Sequence, residues 1–374
     1  MPAPGSVLLN ALYLDPGVSG GPETYLRGLA PAIAHEYPEL RLTIATTRSG
    51  AAALRRDGWA DFARIMALPC EDGQRIRRQL CEQAALPVLV RRLRPDIVHS
   101  LASLAPLAPG APAVVTLHDV TFLMTPTFGR VTTAGMELLV RSAASRAARL
   151  ICGSAAARDE VCAVLGTDPA RFDVVHHGYE PFQGDQFASE AELRSRYGLG
   201  TGRVVLCLAA KRPHKNQEVL VRAASALAAD VRILLAGHPE PYEQELRALA
   251  GELQVAERIV FAGYVSDAER EGLWRIAACS ALPTLGEGFG LPVLEALAHG
   301  VPVACSDLPV LREVGGEIPH YFDPADPPGA ARAIEAALDD SSTSRSGPER
   351  AGAFTWQAAA RGTHAAYERA LEKR

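Results

Sequence analysis

Short runs of Val, Ile and Leu recur along the whole chain, and each is followed by a stretch whose apolar residues have helical spacing. A strand apolar on both faces must be covered on both, and alternation with helices is how parallel sheets achieve this. In the first half the runs fall at Val7–Leu14, Leu42–Thr46, Ile97–His99, Ala113–Leu117, Leu150–Cys152 and Asp173–Val175. Between the first two, Leu26, Leu29, Ala30, Ile33 and Ala34 form one helical stripe, with the helix expected to start at Pro22. The second half repeats the pattern at Val204–Leu208, Arg232–Leu235, Ile259–Phe261, Ser280–Leu282 and Val301–Ala304. Turn formers cluster between Gly178 and Gly202 around one short helical stretch, Ser189–Tyr197, which marks a break. The expected class is α/β: two doubly wound parallel-sheet domains facing across a deep cleft, with ligands beyond the carboxyl ends of the strands.

The length supports two domains, because 374 residues exceed the ~250–300 at which single cores usually divide. A net charge of −5 gives no global field to recruit nucleic acid, and no nucleic-acid partner is expected. No apolar run approaches the ~20 residues that span a bilayer, and the first residues lack the charged start of a secretory signal. A cytoplasmic location is expected. The seven cysteines are scattered and never in C-x-x-C spacing, which reads as buried reduced thiols. Asp339–Arg350, all polar residues and turn formers, is expected to be a mobile loop.

The chemistry concentrates in G-E-G-F-G-L-P-V-L-E, residues 286–295. Gly286, Gly288 and Gly290 strip away side-chain bulk, so backbone N–H groups at Gly288, Phe289, Gly290 and Leu291 can approach a polar ligand. A helix start near Pro292 adds unpaired donors and a partial positive charge suited to a diphosphate. Carboxylates would repel that diphosphate. Glu295 is therefore assigned to a ribose diol and Glu287 to the hydroxyls of a sugar.

The stretch from Phe261 to Gly316, with two glutamates flanking G-F-G-L-P and a G-V-P-V run after the helix, resembles the donor-binding half of the family 4 retaining glycosyltransferases of the GT-B type. The resemblance implies two Rossmann-like domains: an acceptor-side domain at 1–180, a linker at 181–202, a donor domain at 203–352, and a last helix at 353–374 packing back on the first domain. It further implies hexosyl transfer with retention from a GDP- or UDP-linked sugar, a co-substrate rather than a resident cofactor. The sugar, lipid-linked or small-molecule acceptor stays open, with polysaccharide biosynthesis and mannosyl transfer among the expectations.

A basic group, A-A-K-R-P-H-K-N from Ala209, follows the first strand of the second half. Lys211, Arg212, His214 and Lys215 bring positive charge to that strand's carboxyl end. Lys215 matches the family lysine, and Arg212 takes the arginine's role although Ala209-Ala210 stand where relatives carry Gly-Arg. The chain has no D-x-D, so no metal is expected. His118 closes L-H-D after a strand, where the resemblance places a histidine over the transferred sugar; a lone histidine is otherwise often structural. Gly20 and Gly21 open G-G-P-E-T-Y-L, a family stretch approaching the donor diphosphate or the acceptor. Val265, with Tyr264, is expected to edge the base pocket.

Three other activities compete. Ser19 sits in G-V-S-G-G, which satisfies the spacing of a hydrolase nucleophile elbow, although only about eighteen residues precede it. Glu287 and Glu295 could serve a glycosidase as paired carboxyls, and an epimerase could share the two-domain shape. The Arg75–Arg94 segment carries six arginines around Pro87. It reads either as a solvated helix face or as acceptor recognition and peripheral contact with an anionic membrane, at the inner face, through the first domain.

Overall fold

The computed structural model describes residues 3–71, 75–124, 129–182, 184 and 186–372, without the side chains of Arg75, Ile76, Arg130 and Val131. Two compact units result: the first combines 3–123, 129–178 and 354–372, and the second is Tyr179–Ala353 with Met124.

The first unit is built on seven parallel strands, β1 Ser6–Ala11, β2 Arg41–Thr46, β3 Ala63–Ala67, β4 Ile97–Ser100, β5 Ala113–Thr116, β6 Arg149–Cys152 and β7 Phe172–Val174. They run in the order β3-β2-β1-β4-β5-β6-β7. In the centre, Val7 pairs with Leu42 on one side and Ile97 on the other. Alternation along β1 serves two cores. Val7 and Leu9 pack with the Gly21–Glu36 and Trp356–Glu372 helices, and Leu8 packs with Leu86, Leu89 and Val90 of the Leu86–Leu93 helix. The expected stripe of the first helix is buried at Leu26, Leu29, Ala30 and Ile33. The last helix sends Trp356 and Tyr367 into that same core, so the end of the chain completes the unit in which it began.

The second unit has six parallel strands, β8 Arg203–Leu208, β9 Val231–Ala236, β10 Ile259–Gly263, β11 Ala277–Leu282, β12 Val303–Ser306 and β13 His320–Phe322, in the order β10-β9-β8-β11-β12-β13. Val205, Cys207, Ile233 and Leu235 pack against Ala330 and Ile334 of the Pro327–Leu338 helix.

Three expectations change. The edge strands β3 and β13 were not anticipated. The stretch taken as a linker belongs to the second unit: Leu193 is fully buried, the Ala188 amide donates to the Ala268 carbonyl, and Arg196 pairs with Glu269. The polar run at 339–350 is largely helical, Thr343–Ala351, because Thr343 is buried, Gly347 abuts the Leu297 carbonyl and Arg350 donates to the Val314 carbonyl at 2.9 Å. Among the described residues no helix is long and apolar enough to cross a membrane.

Candidate active site

In both sheets the strand order reverses direction once, at β1/β4 in the first and β8/β11 in the second. Chain connections diverge at such a point, leaving a crevice beyond the carboxyl ends where doubly wound sheets bind ligands. At the second switch point the turn after β8 and the turn after β11 are fastened together. The Leu285 amide donates to the His214 carbonyl at 2.8 Å, and the Thr284 hydroxyl lies 3.1 Å from that carbonyl and 2.8 Å from that of Gly286. Asn216, in the left-handed region at φ 55°, uses its amide nitrogen to hold the Pro283 and Pro324 carbonyls at 2.9 and 2.8 Å.

This fastening brings Lys215 to Glu287. The ammonium donates to Glu287 Oε1 at 2.6 Å, with side chains 20% and 13% exposed. The pair is largely desolvated yet still opens to solvent. Beside it the turn closes at Gly290, whose φ of 96° and whose Leu311 neighbour, 2.6 Å from where a Cβ would stand, leave room for glycine alone. Gly290 caps the Leu291–Ala298 helix, and Phe289 is buried beneath the turn.

Glu295 lies in the second turn of that helix. Part of the residue remains accessible, but its carboxyl is enclosed and burial pushes its pKa up, opposed by Arg270 and by the Trp274 indole, which donates to Oε2 at 3.3 Å. Trp274 stacks on His299, and His299 Nε2 meets Glu271 Oε2 at 3.0 Å. Trp274, His299 and Glu271 thus seat Glu295, and none of them was singled out from the sequence. Glu271 and Trp274 lie three apart on one helix face, and Glu295 and His299 four apart on another; that spacing is the signal available in advance.

The basic turn divides. Lys211 does not join the site cations as expected: it is fully buried, and its ammonium donates to the Gly237 carbonyl at 2.6 Å. Burial lowers its pKa, and it acts as a rivet between the ends of β8 and β9. Gly237, at φ 137°, has the Ala209 carbonyl 2.4 Å from where a Cβ would stand. Its amide donates to Gly263 at 2.7 Å, which extends the stitching to β10. Arg212 pairs with Glu240 at 2.9 Å where both are well exposed, a contact worth at most about 1 kcal/mol and easily exchanged. Val265 is partly buried just past β10, next to Tyr264, whose exposed ring sits 5.0 Å from that of His238.

The remaining expected residues belong to the first unit. Gly20 is the N-cap and Gly21 the first residue of the Gly21–Glu36 helix. Ser19 is occupied by backbone: its oxygen accepts from the Asp15 amide at 2.7 Å and lies 3.1 Å from the Tyr13 and Asp15 carbonyls. His118 Nε2 is 2.9 Å from the Leu101 carbonyl, so Nε2 carries the proton. Burial lowers its pKa, which keeps the ring neutral near pH 7 and leaves Nδ1 as an acceptor. Tyr25 meets the ring edge-on at 5.1 Å. Among the described residues no three His, Cys, Asp or Glu side chains gather as metal ligands.

Comparisons with known proteins follow the same division. Residues 19–181 match the sequence profile of Glycosyltransferase Family 4, and residues 202–340 match that of Glycosyl transferases group 1. A D-inositol 3-phosphate glycosyltransferase from Mycobacterium sp. (strain JLS) is 29% identical over 87% of this chain and 82% of its own length. The same-named protein of Mycolicibacterium vanbaalenii is 33% identical over 60% of this chain, which spans about half, 53%, of that relative. Among solved structures, Anabaena Alr3699/HepE, in complex with UDP and glucose, has a TM-score of 0.72 at 20% identity, covering 95% of this chain and 97% of that one. Sucrose-phosphate synthase from Thermosynechococcus elongatus has a TM-score of 0.77 at 18% identity, covering 99% and 100%. With two parallel-sheet units, the paired-glutamate turn at the second switch point and both family profiles in chain order, the protein belongs to the family 4 glycosyltransferases of the GT-B type.

Proposed function

We infer that this chain transfers a hexose from a nucleoside-diphosphate sugar to an acceptor hydroxyl, with retention at the anomeric carbon and with side chains and amides, not a metal, countering the diphosphate charge. The observation that carries this reading is the Lys215–Glu287 pair, held at 2.6 Å beside the start of the Leu291–Ala298 helix at a topological switch point. The diphosphate takes Lys215, Arg212 and the amides of Gly288–Leu291. Glu287, released from Lys215, accepts from sugar hydroxyls, Glu295 takes the ribose diol, and Val265 edges the base. His118, neutral with Nδ1 open, accepts from a sugar hydroxyl, and Gly20 and Gly21 give close backbone approach.

As the anomeric carbon–oxygen bond breaks, charge gathers on the departing phosphate, and donors fixed in advance stabilise it more than the ground state. The acceptor oxygen bonds to the anomeric carbon, and its proton passes to the released phosphate oxygen. The Anabaena protein's complexes with UDP and with UDP-glucose make that donor the first to test and GDP-mannose the second. A cognate donor at 100 times its dissociation constant stabilises the chain by about 2.7 kcal/mol in a melting assay. Failure of every UDP-, GDP- and dTDP-sugar to raise the melting temperature defeats the reading.

The acceptor is a sugar, a lipid-linked group or a small molecule such as the inositol phosphate named for the mycobacterial relatives. A lipid-linked acceptor gains support from one exposed line, Arg77, Leu80, Ala84, Val88, Arg91 and Arg92, apolar in the middle and cationic at both ends. Such a line suits peripheral attachment to an anionic bilayer. Flotation with phosphatidylglycerol vesicles, and not with phosphatidylcholine vesicles, is the expected result; equal flotation with both removes this part.

A further inference from the structure

The first sheet has its own switch point, and the donor chemistry leaves it unused. Asn10, next to last in β1, and Ser100, last in β4, stand at the ends of the two strands between which the order reverses. Beyond them lies a narrow, partly open cavity of about 30 Å³, lined by Asn10, Tyr13, Arg78, Gln79 and Glu82 with apolar neighbours, with room for one or two water-sized groups.

Its polar groups are fixed and unequal. The Leu12 amide donates to Asn10 Oδ1 at 3.3 Å, which orients the amide nitrogen toward Glu82 Oε1 at 2.7 Å and Ser100 Oγ at 3.1 Å. Glu82 is 4% exposed, and burial raises its pKa despite Asn10 and Arg78, so its desolvation is only partly compensated. One helical turn before it, Gln79 Oε1 is buried with no donor among the described residues. The Cys81–Ala85 turn between the flanking helices is π-helical, a local widening that recurs where a functional side chain is re-aimed, and it turns Glu82 inward. Gln79 Oε1 therefore lacks a donor beside a carboxyl whose burial is only partly compensated, in a space the size of a hydroxyl, at the ligand-binding end of the sheet.

We propose that this cavity, formed by Asn10, Gln79 and Glu82, binds a hydroxyl of a polyol acceptor, a sugar or cyclitol ring, and thereby sets acceptor choice. The assignment rests on the transferase reading, since it supplies the acceptor's place in that reaction. A hydroxyl donates to Gln79 Oε1, the acceptor left without a donor, beside the Glu82 carboxyl that the Asn10 amide already holds. An anionic group is turned away by the carboxyl, so any phosphate on the acceptor lies outside the cavity, toward Arg78 on its lining.

The test uses the full chain and saturation-transfer NMR with myo-inositol, D-glucose, ethanolamine and inorganic phosphate as probes. The polyols bind the wild type, and Glu82→Gln and Gln79→Leu each weaken them about tenfold or more, with melting curves recorded to show that both variants fold. Gln79→Leu keeps the proposal testable should Glu82→Gln unfold. Polyol binding unchanged in both folded variants overturns the proposal, as does displacement of the polyol by ethanolamine or phosphate. Donor-induced melting shifts, measured on the same three proteins, separate the two claims. Their absence in the wild type defeats the transferase reading, whereas their presence with unaltered polyol binding defeats the acceptor cavity alone.

Discussion

The two switch points share a topology and differ in charge. At β8/β11 a cation and a carboxylate meet at 2.6 Å beside a helix start, each compensating the other. At β1/β4 an enclosed carboxyl receives an amide hydrogen bond and stays under-compensated. The backbone provides a crevice in both places, and the side chains decide what enters. A preformed ion pair can exchange partners for an ionic ligand and its hydroxyls, whereas a carboxyl short of donors selects a neutral donor.

The sharpest way to break this contrast is to remove the cation. Lys215→Ala is expected to lower kcat by about 10²–10³, roughly 3–4 kcal/mol, because it deletes a group that strengthens its contact as the phosphate departs. It also leaves Glu287 without its partner. The check is steady-state transfer with a melting curve beside it, and turnover within a few-fold of wild type would leave the second switch point without its chemistry.

A smaller effect sharpens the comparison through Glu295, another carboxyl raised by burial. Its folded pKa lies above the ordinary 4.5, so its contribution to stability is full below that value and is lost as pH rises through the folded pKa. Glu295→Gln keeps an oxygen for the Trp274 indole and removes the ionisation. The variant should melt above wild type at pH 7, with the gain fading as pH falls toward 4.5, while its donor affinity drops. A lower melting temperature at pH 7 would mean that the ionised form is well compensated and that burial is not what governs this site.

What the sequence made legible follows from which signals are local. Central strands such as β1 and β8 are apolar on both faces and stand out as runs, and their observed limits differ from the expected ones by a few residues. Two of the edge strands did not stand out: β3 carries an exposed Arg64, and β13 is three residues long with aromatic and imidazole side chains. The helix at Thr343–Ala351 was hidden because its stability comes from partners elsewhere in its unit, Leu297 and Val314, and not from its own polar composition. The paired-glutamate turn was visible as a motif, but the contact between Lys215 and Glu287 joins positions 72 apart, and only the strand order brings them together. Trp274, His299, Asn10 and Glu82 stayed unnoticed for the same reason: each acts through a neighbour that only the fold supplies.

The last helix has a consequence for the order of assembly on the ribosome. The second unit lies inside the first in chain order, since residues 354–372 return to the core that residue 7 begins. Synthesis runs from the amino end, and domains generally fold as units as they emerge. The nested lobe can therefore mature while its host still lacks Trp356 and Tyr367, and the half that starts first is finished last.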